Sequence, residues 1–324
     1  MMIATLVAVS LLFGDLPQKG NVPPEIAQPR KDAAPALQNK PAAPVSDIVT
    51  DEFAALFETG QYVYSGGKYK EHHFGYRLFV PRSLNPANRY PLIVWFHGLG
   101  AAGDDNRRSV HQLELLLRDR DHLEKYPFFI LAAQCPANDR PWYHTPGAEE
   151  PDEMLTVVVS ILHKVMQERP IDPDRVYAVG LSSGGLGCWE FVMRHPELVA
   201  AFVTMAAGHT DLARTAKLAH TPGWAVINRG ELEKSGVEKM VSAMNDAGGR
   251  AYLTVLPRNG HDAWTPAFKT PDIWTWLLAQ RRGSWVCWTP PPFQPWRWWH
   301  VLTVPCLFLV TLRLAWWRWR ERVA

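Results

Sequence analysis

The chain has 324 residues, with 34 basic against 32 acidic side chains, and 47% of it is apolar. These values exclude global disorder and a whole-chain polyanion binder, and they leave room for one large core. Four cysteines are too few to build a disulfide scaffold.

The charge is unevenly spread. Residues 283–324 carry five arginines and one glutamate, or +4, so residues 1–282 sum to −2. The same tail holds eight of the fifteen tryptophans. The mild basicity and the aromatic excess belong to one end.

In chain order, residues 3–13 form an uncharged apolar run inside a leader of 1–14. The run is too short to span a bilayer and has the length of a signal-peptide core. Residues 15–49 follow, with prolines at 17, 23, 24, 29, 35, 41 and 44. Proline blocks both helix and ladder, so this stretch reads as a disordered Pro/Ala linker. A leader followed by such a linker fits an exported or membrane-associated protein.

From residue 50 to 282 the pattern is globular. Short apolar runs predict strands at 74–80, 91–96, 128–133, 175–179, 200–205, 224–227 and 252–256. Between them lie helical stripes. Leu155, Val158, Val159, Leu162, Val165 and Met166 make one, stopped by Pro170. Residues 184–194, 236–247 and 272–280 make others. Strands alternating with helices predict βαβ units and a mostly parallel sheet flanked by helices.

After the strand at 175–179 comes Gly180-Leu181-Ser182-Ser183-Gly184, then a helical pattern. This is G-x-S-x-G at a strand-to-helix turn, which lifts a serine hydroxyl above the sheet edge. Ser182 is the candidate nucleophile. His97-Gly98-Leu99-Gly100 ends an earlier buried strand. The N–H groups of Leu99 and Ser183 are candidates for an oxyanion hole. His261 follows the last predicted strand, over the same sheet edge as Ser182, and is the candidate base. The acid should follow the strand at 224–227. Glu231 and Glu233 lie there, and Asp211 is a third option.

At these residues the chain resembles an α/β-hydrolase. It is similar to the carboxylesterase, feruloyl-esterase and poly(hydroxyalkanoate)-depolymerase-like group, with its predicted phospholipases and peptidases. The matching stretches are YPLIVWFHGLGAAGDDN (90–106), Gln134-Cys135-Pro136, VYAVGLSSGGLGCWEFVMRHPE (176–197) and NGHDAWTPAF (259–268). The resemblance implies Ser182 as nucleophile and His261 as base. Relatives show histidine, glycine and then aspartate after the seventh strand. Here Ile227 and Asn228 replace the histidine and glycine, and an ungapped count puts Glu231 at the aspartate. The resemblance also implies a substrate pocket lined by Trp142, Tyr143 and Trp264.

The expected activity is serine hydrolysis of a small-molecule or polymer carboxylic ester, without cofactor, metal or nucleic acid. A non-catalytic binding protein on the same fold, or an acyltransferase, is the alternative. In the tail, residues 298–317 are twenty mostly apolar positions with tryptophans at both ends, about the length of a membrane-spanning helix. Pro305 and Arg313 count against insertion.

Overall fold

The computed structural model describes residues 49–117, 123, 126–137, 142, 153–208 and 211–284. The leader, the linker except Val49, Tyr143 and the tail from 285 onward, with its 298–317 segment, lie outside the described residues. Among the described residues no helix is long and apolar enough to cross a membrane.

Eight strands form one sheet: β1 (Phe57–Gly66), β2 (Tyr69–Phe79), β3 (Tyr90–Phe96), β4 (Phe129–Ala133), β5 (Ile171–Leu181), β6 (Ala201–Met205), β7 (Gly223–Asn228) and β8 (Ala251–Leu256). Their order is β1-β2-β4-β3-β5-β6-β7-β8. β1 and β2 pair antiparallel, as do β2 and β4, and the remaining pairs are parallel. The expected mostly parallel sheet is present, with an antiparallel hairpin on one edge.

Every residue of β3 is buried. A strand covered by helices on both faces has no polar side, so its sequence is a continuous apolar run. Its side chains alternate between two cores. Leu92, Val94 and Phe96 face the core that holds Leu155, Val158 and Leu162. Ile93 and Trp95 face the core that holds Phe268, Ile273 and Leu277. The first core lies under the helix Glu153–Glu168, the second under the helix Pro271–Ala279.

Three strands differ from expectation. β1 was not predicted at all, β2 starts at Tyr69 rather than 74, and β5 starts at Ile171 rather than 175. β5 enters through Asp172-Pro173-Asp174, and its pairing with β3 shifts register between Tyr90 and Leu92. Val49, expected at the end of the linker, is buried, and its carbonyl accepts from Arg107 Nη2 at 2.7 Å.

The start of β5 is also where the domain closes. Arg281 pairs with Asp172 at 2.8 Å and with Asp174 at 3.1 Å, and Arg282 pairs with Asp174 at 3.0 Å. The Arg282 N–H donates to Asp174 O at 2.9 Å. Burial pushes the Asp172 carboxyl up, but hydrogen bonds from Arg175 and Arg281 outweigh it and hold it below the usual carboxylate range.

Candidate active site

Parallel strands deliver their following loops to one edge of the sheet. Leu99 follows β3, Ser182 follows β5, Glu231 follows β7 and His261 follows β8. Four residues distant in sequence therefore share that edge.

The turn at Ser182 is forced by its neighbours. Ser182 has φ 53° and ψ −126°, a left-handed strain for a residue with a Cβ. A Cβ on Gly180 would sit 2.2 Å from the carbonyl oxygen of Gly184, and one on Gly184 would sit 2.1 Å from that of Phe96. Both contacts are with backbone, so neither position tolerates a side chain. The Ser182 N–H is held by Met205 O at 2.8 Å, and Ser182 O accepts from the N–H groups of Gly185 and Leu186. The helix Ser183–Arg194 begins there, so the Ser183 N–H belongs to the first turn, where no intrahelical acceptor exists.

Ser182 Oγ lies 2.8 Å from His261 Nε2, and His261 Nδ1 lies 2.9 Å from Glu231 Oε2. A carboxylate can only accept, so Nδ1 carries the proton and Nε2 is left to accept from the serine hydroxyl. The Glu231 side chain is 3% exposed while that of His261 is 52% exposed. The second carboxylate oxygen, Oε1, accepts from the Asn228 N–H at 3.1 Å. The carboxylate is thus satisfied on both sides.

The other acid candidates are elsewhere. Asp211 caps the short helix Leu212–Ala216 by accepting from the Arg214 N–H. Glu233 is exposed at the start of the helix Lys234–Asp246.

The loop after β3 is braced from below. His97 is fully buried, its Nε2 accepts from the Cys135 N–H at 3.1 Å, and its Nδ1 donates to Gly98 O at 2.8 Å. Burial lowers its pKa to about 4, against a smaller opposing pull from the Gly98 carbonyl, so it is neutral at physiological pH. Gln134 donates to Ala101 O at 3.0 Å and accepts from the Asn106 N–H at 2.5 Å. Leu99 and Gly100 open a short 3-10 turn, whose later N–H groups return to Gly98 and Leu99. The Leu99 side chain is 53% exposed at the rim.

The expected pocket residues divide. Trp142 is completely buried; its indole N–H donates to His97 O at 2.9 Å, and its ring packs edge-on against Phe96 and His97. It supports the loop from behind and does not line an open surface, which corrects the expectation. Trp264 is half-buried and meets the His261 ring edge-on, with centroids 5.4 Å apart. Sequence reasoning missed Asn228 and Gln134 as parts of the site. Gln134 had a signal, since it stood in a matching stretch. Cys135 and Cys188 are both buried. Among the described residues no group of His, Cys, Asp and Glu is arranged to hold a metal ion.

The eight-stranded, mostly parallel sheet flanked by helices is an α/β-hydrolase fold. A family model described as the α/β-hydrolase fold matches residues 91–226. Within that class the chain is similar to an esterase-like group. The structure of a thermostable esterase superposes with a TM-score of 0.64 at 28% identity, covering 71% of this chain and 64% of that one. The chain therefore spans less than two thirds of that esterase. A ferulic acid esterase gives a TM-score of 0.53 at 18% identity, covering 69% of this chain and 98% of that one. An S-formylglutathione hydrolase from Staphylococcus aureus gives 0.51 at 12% identity, with coverage of 68% and 98%. The last two are likenesses of fold. No curated protein sequence matches the chain.

Proposed function

We propose that the protein is a serine carboxylic-ester hydrolase in which Ser182, His261 and Glu231 form the catalytic triad. The observation that carries the reading is the unbroken chain of contacts from Ser182 Oγ through the His261 ring to Glu231, at 2.8 and 2.9 Å. The similarity to an esterase at 28% identity supports an ester as the substrate class.

In this reading His261 Nε2 takes the Ser182 proton as Oγ attacks the ester carbonyl. Glu231 keeps the ring in the right tautomer and stabilises the imidazolium that forms. The N–H groups of Leu99 and Ser183 receive the oxyanion, each contributing about 3 kcal/mol to the transition state. The imidazolium protonates the departing alcohol. Water, activated by the same histidine, then releases the acid from Ser182. Trp264, against the His261 ring, borders the space where the alcohol leaves.

Hydrolysis of short p-nitrophenyl esters tests this. Ser182→Ala should abolish turnover and fluorophosphonate labelling. Turnover that survives Ser182→Ala overturns the assignment. Ester product in place of free acid when an alcohol is supplied would favour the acyltransferase alternative.

A further inference from the structure

The acid loop after β7 and the histidine loop after β8 must keep a fixed separation, or the Glu231–His261 contact opens. Backbone ties between them are few. The Arg229 N–H donates to Leu256 O at 2.9 Å, and the Gly230 N–H reaches Arg258 O at 3.3 Å. Both acceptors precede the histidine by three residues or more. Nearer to His261, the tie is a side chain. Asn228 Nδ2 donates to Gly260 O at 2.7 Å.

Asn228 is completely buried at the end of β7. Its backbone N–H donates to Glu231 Oε1, and its carbonyl accepts the Glu231 N–H at 3.2 Å. One residue thus holds the glutamate through its main chain and the peptide before His261 through its amide. Gly260 has φ 85°, a conformation that glycine adopts freely, so its peptide needs an outside restraint. The amide cannot be turned round, because Oδ1 would then face Gly260 O, acceptor against acceptor. Held this way, Oδ1 is buried without a hydrogen-bond partner. Buried polar atoms are normally satisfied, and the exceptions concentrate where geometry serves something else.

We propose that Asn228 is a positioning residue: its side-chain amide sets the peptide preceding His261 at the distance from Glu231 that the relay requires. The proposal rests on the triad reading. It concerns orientation and not contact with substrate.

The test uses the full chain with Asn228→Ala and the nearly isosteric Asn228→Asp, which exchanges the donor for an acceptor. Three readouts are taken: kcat and KM on p-nitrophenyl acetate, the fluorophosphonate labelling rate of Ser182, and the low-field proton resonance of His261 Nδ1–H. The expected result is a fall of at least about tenfold in kcat and labelling rate, with KM within about twofold of the parent. The low-field resonance should shift or vanish, while circular dichroism is unchanged. Parent-like kcat, labelling and resonance in either folded variant overturns the proposal. Loss of folding in both makes Asn228 a core residue and also overturns it. If the parent protein neither turns over ester nor is labelled, the triad reading fails by itself. The resonance in parent and variants then still decides whether the amide positions His261.

Discussion

Glu190 and Arg214 lie on different helices and meet in a paired contact, with both guanidinium nitrogens 3.0 Å from the two carboxylate oxygens. Arg194, one turn along from Glu190, adds a third bond at 2.6 Å. Glu190 sits on the helix that Ser182 opens, and its side chain is 2% exposed. Burial alone would raise its carboxyl pKa, but the hydrogen bonds from Arg214 and Arg194 outweigh it and hold the carboxyl below its ordinary range. A carboxyl with a depressed folded pKa adds stability that is complete above the unfolded value, near 4.3. That stability is lost as pH falls through the folded value. Glu190→Gln should therefore lower stability by about 2 kcal/mol at pH 7, a figure reduced because both arginines reach solvent. The variant should also show a shallower loss of stability below about pH 4. Urea midpoints between pH 3 and 7 measure both effects.

The elbow glycines should respond differently from the loop glycine. Gly184→Ala places a methyl 2.1 Å from Phe96 O, whereas Gly100→Ala meets nothing within 4 Å. The first should cost roughly 3 kcal/mol or more, because only backbone movement relieves the clash. The second should stay within about 0.5 kcal/mol of the parent. Thermal unfolding of the pair gives the comparison.

Ser182 holds a strained backbone, with φ 53°. Ser182→Ala should keep the strain, and Ser182→Gly should release it. Relief at such a site is worth about 1 kcal/mol after the entropy cost of glycine. The glycine variant should melt higher than the alanine variant, and both should be inactive. Equal melting temperatures would mean that the turn costs nothing.

Glu231 reaches His261 with a side chain one methylene longer than aspartate. Glu231→Asp should withdraw the carboxylate and lower kcat by about tenfold to a hundredfold. Glu231→Gln keeps the length but can present its amide N–H toward Nδ1 and favour the wrong tautomer, so the loss should approach about 10³-fold or more. KM on p-nitrophenyl acetate should change little in either. Steady-state kinetics with burst-phase analysis separates the two.

The central strands were legible because a sheet buried on both faces leaves an uninterrupted apolar word such as Leu-Ile-Val-Trp-Phe in β3. β1 escaped because an edge strand needs no such word. Its burial alternates, and Gly60 and Gly66 interrupt it. The start of β5 was hidden by Asp172-Pro173-Asp174, which has turn composition but enters the sheet through a register shift. Ser182 and His261 were readable from position, since each follows a strand. Glu231 was one of three carboxylates that satisfied the order. The count against relatives favoured it, and its 2.9 Å distance to Nδ1 sets it apart from Glu233 and Asp211. Asn228 was visible as a departure from the pattern of relatives, but a departure in a string of letters does not say which loop a buried amide will reach. Trp142 misled for a similar reason. A tryptophan near a site in sequence can face the ligand or the loop behind it, and the indole hydrogen bond to His97 puts it behind.

The pairs Asp172–Arg281 and Asp174–Arg282 stand at the opposite end of β5 from Ser182. They tie the last described turn of the chain, Arg281–Ser284, to the root of the strand. A pull transmitted along the chain from beyond Ser284 meets these ion pairs first and loads the root of the strand in shear. The serine at its tip is separated from that load by the six laddered residues Val176–Leu181.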